Sequence, residues 1–279
     1  HDASKNKTSD PRSIAVNHGS IALLRNLHAW PTHYQPIKTV HVSQQGRLGR
    51  TLIQHEDLDV PELGGVVNYT DLLASLHNSL GISGITCIES KQAELHLGER
   101  PEVVTGPHRI QAYLGIQSDG VRPKGLEKHY DQCAVLAVVS ANEPRPGWAF
   151  ERFTKQGPLA LLPHPSGRGH YGVVWCCQPN TAAQLRRAPE HEFNAQLQDV
   201  FGTRLGALSV LGERTVYPLS LHAGPSRIGL RGIAIGNAAQ TLHPVAGQGL
   251  NLGLRDAAQL AHALRFWLTQ PNQDPDPLL

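Results

Sequence analysis

The chain has 279 residues, of which 40% are hydrophobic and 17% are charged, so it is long enough for one large domain or two modest ones, each with its own core. A formal net charge of +2 gives no field that would favour binding to nucleic acid. No window approaches eighteen uninterrupted apolar residues, which argues against a membrane-spanning helix, and the polar N-terminal segment lacks the apolar core of a signal peptide.

The sequence contains no methionine and opens with the polar stretch HDASKNKTSDPRS. Both features predict that it begins inside a longer gene product, and that residues printed as neighbours are not in every case covalent neighbours.

Periodicity predicts the elements of the N-terminal half. In chain order they are a helix over 13–30, strands over 38–43 and 50–53, a helix that opens at Asn68 and continues to residue 80, and a strand over 110–117 that leads into Ser118-Asp119-Gly120.

The second half is predicted to be rich in strands and to end in a strand, a turn and a helix. The predicted elements are strands over 133–140, 148–154, 158–162 and 171–177, an amphipathic helix over 190–201, a strand over 213–219, and the strand-turn-helix unit over 232–264. This order favours an α/β nucleotide-binding domain that is interrupted by a sheet domain.

The cysteines and histidines favour no metal site. Cys176 and Cys177 are adjacent on a predicted strand, so their side chains face opposite sides of the sheet and pair poorly with each other. With Cys87 and Cys133 they are expected to be reduced core thiols of a cytosolic protein. The sixteen histidines form no HExxH motif, and we expect surface or core histidines.

The most informative segment is the strand, turn and helix from Gly232 to Leu264. Its strand ends at Gly236, where a glycine lets the backbone turn sharply and approach a ligand, and Asn237 follows at the carboxyl end, where open α/β sheets bind ligands. Pro244 fixes φ in the loop. Gly247-Gln248-Gly249 then leaves peptide N–H groups unobstructed at a helix N-terminus, which suits an electron-rich or anionic group. The alternative is an ordinary, tightly packed strand-to-helix connection.

This segment resembles the second flavin-binding motif of the para-hydroxybenzoate hydroxylase-like FAD-dependent aromatic monooxygenases. It is most similar to their ubiquinone-biosynthesis branch, the 2-polyprenyl-6-methoxyphenol hydroxylases, which have Gly-Asn, as at Gly236-Asn237, where the family usually has Gly-Asp. The resemblance implies that Gly236 and Asn237 lie by the ribityl and phosphate region of FAD. It also implies that the following residues lie along the isoalloxazine ring: Pro244, Gly247, Gln248, Gly249, Leu250 and Asn251.

Three further segments resemble the same family. Residues 10–15 are similar to the entry of its first long helix, which implies that Arg12 approaches FAD; the alternative is a solvated arginine. Asp119-Gly120 resembles an Asp-Gly motif that contacts FAD and is implicated in NAD(P)H binding; the alternative is a turn without a ligand. Residues 150–163 resemble strands that shape the aromatic pocket.

The sequence also departs from the family. The opening strand, GxGxxG turn and helix that hold the ADP pyrophosphate have no counterpart, nor does the acidic ribose ligand. Asp119-Gly120 reaches Tyr130 in only eleven residues, and the usual continuation of that motif is blurred. The C-terminal helical tail of the family is absent as well.

The resemblance implies a division of the chain into parts of an FAD/NAD(P)-binding, Rossmann-like domain and an inserted sheet domain for the substrate. The FAD-binding domain is expected to comprise 1–65, 110–130 and 205–270, with the helix and strands of 66–109 also belonging to it. The substrate domain is expected at 131–204, and 271–279 is expected to be a linker-like tail.

The implied activity is hydroxylation of the ring of a polyprenyl phenol in ubiquinone biosynthesis through an FAD C4a-hydroperoxide, with NAD(P)H and O2 as co-substrates. No side chain need act as a nucleophile; His243 and Pro244 are the candidates for tuning the reaction. The implied location is cytoplasmic, with peripheral contact at the inner membrane or with a biosynthetic complex left open. The alternatives are another FAD-dependent enzyme of this fold, such as an oxidase or a halogenase, and a flavin-free scaffold fragment.

Overall fold

The structure, a computed structural model, describes residues 12–90, 92–120, 125–241, 247–270 and 273–279. Its α-helices are α1 (His18–Asn26), α2 (Tyr69–Ile82), α3 (Pro179–Arg187), α4 (Glu190–Phe201) and α5 (Gln248–Leu264). Its first nine strands are β1 (Ser13–Asn17), β2 (Gln35–Ile37), β3 (Thr39–Gln44), β4 (Arg50–Gln54), β5 (Gly64–Asn68), β6 (Glu94–His96), β7 (Glu102–Thr105), β8 (His108–Gln111) and β9 (Gly115–Gln117). The remaining strands are β10 (Leu126–Ala141), β11 (Trp148–Phe153), β12 (Pro158–Pro163), β13 (His170–Cys177), β14 (Leu208–Ala223), β15 (Arg227–Gly229), β16 (Gly232–Ala234) and β17 (Gln240–Thr241).

The centre of the fold is an eight-stranded sheet with the order β17-β14-β10-β13-β12-β11-β3-β4. Its neighbours are antiparallel except for β11 and β3, which run parallel with Phe150 opposite His41. The sheet is therefore wider than the segment 131–204 assigned to the substrate domain from sequence, because β3, β4 and most of β14 are hydrogen-bonded into it.

Side chains alternate between the two faces of this sheet, as the pleat of a strand requires. On β12, Leu159 and Leu161 point to one face, where they are fully buried against α3 and α4. On α4 the buried side chains are Phe193, Leu197 and Phe201, which confirms the predicted amphipathic helix. One face of the sheet is thus covered by α3 and α4, and the other face is available for the candidate site.

A second, three-stranded sheet has the order β1-β5-β2 and packs beside α1. The prediction of a helix over 13–30 is wrong for its first turn: residues 13–17 form β1, which pairs antiparallel with β5. The helix begins only at His18, because Asn17 is extended (φ −75°, ψ 165°) and its side chain accepts a hydrogen bond from the Ser20 N–H at 2.8 Å.

The third sheet, with the order β15-β16-β9, carries the strand that precedes the glycine-rich turn. Strands β16 and β9 are parallel. The Ile235 N–H continues their ladder by donating a hydrogen bond of 3.0 Å, an ordinary length, to the Gln117 carbonyl. A small antiparallel sheet, β6-β7-β8, lies between α2 and β9 in the chain. The predicted class, an α/β protein that contains a large sheet domain, is confirmed.

Within the described ranges, no helix combines the length and the apolarity that crossing a bilayer requires.

Candidate flavin and substrate cavity

A cavity of about 760 Å³ lies between the open face of the eight-stranded sheet and a wall made by β1 and the start of α5. This volume is in the range of ligand-binding pockets and is large enough for a ring system and a second aromatic molecule. The cavity is bordered by residues from four parts of the chain that are far apart in sequence: 12–17, 37–69, 134–176 and 217–251.

The sheet wall of the cavity is apolar because alternate residues of five strands share one face. Its side chains come from β3, β10, β12, β13 and β14: Val40, Val42, Ala134, Leu136, Pro158, Ala160, Leu162, Val174, Cys176, Tyr217 and Leu219. The register places Ala160 opposite Val174, and Val174 opposite Leu136, so these residues form a continuous row across the sheet. Such a wall suits a flat, apolar ligand.

The first turn of α5 forms the opposite wall. Gly247 precedes the helix in the left-handed conformation (φ 60°), and no side chain caps the helix N-terminus among the residues that the structure describes. Gly249 lines the cavity, and a Cβ placed on it would meet no heavy atom within 4 Å. The turn therefore presents main-chain N–H groups to open space, where the helix dipole favours electron density.

Asn251 holds this turn against β1. Its side-chain Oδ1 accepts a hydrogen bond from the Asn17 N–H at 2.9 Å, and its Nδ2 donates to the carbonyls of Ala15 at 3.2 Å and Gly247 at 2.9 Å. Although Asn251 borders the cavity, its amide is used in fixing the backbone around the cavity.

The turn after β16 is packed closely on α5. Gly236 has a positive φ of 59°, and its N–H donates to the Asp256 carboxylate at 3.2 Å. A Cβ on Gly253 would lie 3.2 Å from the Gly236 Cα, so a side chain at 253 would have to push the turn back by a few tenths of an ångström. Asn237 is thereby directed to the cavity, which it lines.

The structure brings most of the predicted site residues together. Those that border the cavity are Arg12, Asn237, Gly247, Gly249, Leu250 and Asn251. Arg12 lies over the Tyr69 ring, 5.1 Å from its centroid, and its carbonyl accepts from the Tyr69 N–H at 2.9 Å.

Other predicted residues lie beside the cavity or outside the described residues. Asp119 and Gly120 follow β9 as Gly236 follows β16, so both motifs lie at the carboxyl edge of one parallel strand pair, but neither Asp119 nor Gly120 borders the cavity. Gln248 begins α5 without bordering the cavity. His243 and Pro244 lie outside the described residues.

Among the polar residues of the cavity wall that the sequence analysis did not assign to the site are Glu151 and Cys176. Glu151 on β11 borders the cavity, and burial raises the pKa of its carboxyl above the ordinary value. Cys176 on β13 is buried, and burial together with Glu151 raises the pKa of its thiol to about 12, so the thiol stays neutral. Cys177, in contrast, faces the core on the other side of the sheet, as the adjacent positions of the two cysteines predict.

Fold and cavity together define a class of protein: an α/β nucleotide-binding fold with a sheet-walled ligand chamber. Residues 114–274 match the family described as FAD binding domain, and the chain belongs to that family. Its cofactor is therefore FAD, as the sequence analysis implied. The open space in front of Gly249 and the uncapped turn of α5 fit such an electron-rich ring system.

Among curated relatives, the ubiquinone hydroxylase UbiL of Rhodospirillum rubrum is 38% identical over 163 residues, which cover 56% of this chain and 38% of the relative. The 3-demethoxyubiquinol 3-hydroxylase of Escherichia coli is 26% identical over 272 residues, which cover 91% of this chain and 68% of the relative. The chain thus spans only part of the length of these relatives.

Among solved structures, pqsL, a probable FAD-dependent monooxygenase from Pseudomonas aeruginosa, superposes with a TM-score of 0.77. The match covers 96% of this chain and 80% of that protein at 14% sequence identity, so it supports the fold.

Proposed function

We propose that the protein hydroxylates the aromatic ring of a polyprenyl phenol in ubiquinone biosynthesis, with FAD as cofactor and NAD(P)H and O2 as co-substrates. The single observation that carries the proposal is the cavity, in which the uncapped turn of α5 faces an apolar sheet wall. The names of the two curated relatives support the substrate class.

FAD, when bound, supplies the redox chemistry by taking electrons from NAD(P)H and activating O2. The protein supplies position and exclusion of water. We assign the main-chain N–H groups of 248–250 to the electron-rich edge of the flavin ring, and Asn237 to a polar contact along the cofactor. Asp119-Gly120, at the neighbouring strand end, is assigned to the same cofactor beyond the cavity. Arg12, stacked on Tyr69, is assigned to the rim where the cofactor enters.

The eight-stranded sheet is assigned to the substrate. Its cavity face offers a row of small and branched side chains, Leu136, Val174 and Ala160, against which an apolar ring and the start of a prenyl chain bury surface. Such a chamber also keeps water from the reacting atoms. A polyprenyl substrate resides in lipid, so we include peripheral contact with the inner membrane in the proposal.

The test is made on the whole protein. Purified protein should show the flavin absorbance band near roughly 450 nm. With NAD(P)H and O2 it should convert a short-chain prenyl phenol to a product heavier by one oxygen atom, detected by mass spectrometry with 18O2 as the label source. A colourless protein would support a flavin-free scaffold, and oxidation without oxygen incorporation would support an oxidase; either outcome overturns the proposal.

A further inference from the structure

Glu151 places a carboxyl group on an otherwise apolar wall of the cavity. It lies on β11 beside Val42 of β3 and opposite Ala160 of β12, and all three border the cavity. The preceding residue, Phe150, is buried in the core on the other face, where its ring meets the Phe201 ring at 5.4 Å. Because neighbouring side chains of a strand point to opposite faces, the Glu151 side chain is directed to the cavity.

The carboxyl group has no hydrogen bond or ion pair with any of the residues that the structure describes. Among the described residues on the cavity border, the other charged one is Arg12, which belongs to the β1 wall and stacks on Tyr69. Cys176, a neutral thiol on the same face of the sheet, interacts electrostatically with Glu151. A half-buried carboxyl group without a protein partner is unfavourable for folding, and a ligand that supplies the partner reduces this cost.

We propose that Glu151 binds the phenolic hydroxyl group of the ring substrate, with the hydroxyl donating its hydrogen bond to the carboxylate oxygen. This inference rests on the function proposed above and assigns to Glu151 the orientation of the ring. A largely apolar wall with one carboxylate among its described residues matches a molecule with an apolar body and a hydrogen-bond donor. The bond is charge-assisted, and a site built around such a bond discriminates strongly against a ring that lacks the hydroxyl group.

The orientation of the ring also decides which ring carbon faces the flavin. An apolar wall alone lets a prenyl ring rotate and slide, since burial of surface is not directional. A fixed acceptor on β11 removes that freedom. Glu151 would therefore act as a substrate-positioning residue, distinct from the glycine-rich turn that meets the cofactor.

The test is a binding measurement on the whole, oxidised protein without NAD(P)H. Isothermal titration calorimetry with 2-prenylphenol and with prenylbenzene gives the preference for the hydroxyl group as a ratio of two dissociation constants. We expect wild type to prefer the phenol by about 10- to 100-fold, the range for a hydrogen bond to a charged group. In Glu151→Leu the preference should fall to within about 3-fold, and in Glu151→Gln, which keeps an acceptor oxygen but no charge, it should be intermediate.

Glu213→Leu is the matched control, because Glu213 is an exposed glutamate on β14 that does not border the cavity; this variant should keep the wild-type preference. Should Glu151→Leu fail to fold, the near-isosteric Glu151→Gln carries the test. An unchanged ratio in the Glu151 variants, or no preference in wild type, overturns the inference. Product formation by wild type is scored separately: if wild type hydroxylates and the ratio is unchanged, only the role of Glu151 fails, whereas absence of product refutes the proposed function.

Discussion

Asn251 and Asn17, which are 234 positions apart, are joined by a hydrogen bond of 2.9 Å from the Asn17 N–H to the Asn251 Oδ1. The same Asn17 caps α1 with its own side chain. The start of α5 and the start of α1 are therefore both anchored at the end of β1, and the cavity wall that they form depends on one buried amide.

Replacement of the Asn251 amide should lower the stability of the protein by removing the hydrogen bonds that hold the cavity wall together. Asn251→Leu has a similar volume but leaves the Asn17 N–H and the Ala15 and Gly247 carbonyls without their partner, so we expect a loss of about 1–3 kcal/mol in the free energy of unfolding. Urea unfolding followed by circular dichroism measures the loss. Asn251→Asp keeps the acceptor for the Asn17 N–H but sets a buried carboxylate oxygen against the Ala15 and Gly247 carbonyls, so it should be destabilised as well. Equal midpoints for wild type and Asn251→Leu would contradict this role.

Two substitutions at Gly249 should distinguish an effect on folding from an effect on cofactor binding. Because a Cβ at this position meets open space, Gly249→Ala should keep or raise the thermal midpoint, as alanine is favoured over glycine in a helix by roughly 0.5–1 kcal/mol. Gly249→Trp should fold but fill the space assigned to the flavin, so its flavin content should fall at least about tenfold. Flavin absorbance per mole of protein is the measurement.

Gly81 provides the control for that experiment, since it lies in α2 and a Cβ there also meets nothing within 4 Å. Gly81→Trp should keep its flavin. Normal flavin content in Gly249→Trp would show that the turn of α5 does not face the cofactor.

Gly253 should behave differently from Gly249, although both lie on α5. Its Cβ would come within 3.2 Å of the Gly236 Cα, which is main chain and cannot move aside cheaply. Gly253→Val should overpack this contact and cost about 1–3 kcal/mol, with loss of flavin as a secondary effect of the displaced turn. Thermal unfolding of the two variants side by side checks the contrast, and equal midpoints would contradict the close packing.

The pH dependence of stability should report on Glu151. Burial raises the pKa of its carboxyl, so between the unfolded and the folded value the native state binds a proton that the unfolded chain has released. The contribution of this group to stability therefore falls as pH rises through that window. Glu151→Gln removes the titration and should be more stable than wild type at neutral pH, with the advantage shrinking towards the ordinary glutamate pKa of about 4.3.

Thermal unfolding across pH 4.5 to 8 measures this difference, with Glu213→Gln on the exposed part of β14 as the control. The thiol of Cys176 stays neutral throughout this range. A stability difference between wild type and Glu151→Gln that does not change with pH would contradict the assignment.

The cysteines should react at two very different rates. Cys87 is exposed, whereas Cys133, Cys176 and Cys177 are buried. Burial raises the pKa of Cys176 to about 12 and that of Cys177 to about 11, so at pH 8 roughly one thiol in a thousand or fewer is ionised at these positions. A thiol-reactive dye should label one equivalent quickly in native protein and the rest only after unfolding. Cys87→Ser should abolish the fast phase.

Local pattern was sufficient to predict much of the fold. The strands of the large sheet alternate clearly, and α4 has its apolar residues at helical spacing, so both follow from near neighbours. The pairing of β3 with β11 links residues about a hundred positions apart, and no local signal carries it. Likewise, Ser13–Asn17 is a strand because β5 lies beside it, although the stretch has helix-compatible spacing.

The backbone of the candidate site followed from the sequence where glycine limits it, whereas the direction of side chains on the sheet did not. Gly236, Gly247 and Gly249 lie where the motif indicates, around one turn and one helix start. Glu151 is a polar residue in an alternating strand, which normally means a side chain facing water. Only the assembled sheet shows that its face is the cavity wall.

One face of the eight-stranded sheet packs against helices and the other lines the cavity, and this difference affects which residues can change during evolution. The odd-numbered residues of β12, such as Leu159 and Leu161, are constrained by packing against helices. The even-numbered residues, such as Ala160, border the cavity and contact its ligand. Selection for a new substrate can therefore act on every second residue of a strand without disturbing its neighbours. A library restricted to those even positions should yield altered ring preferences at little loss of folded protein.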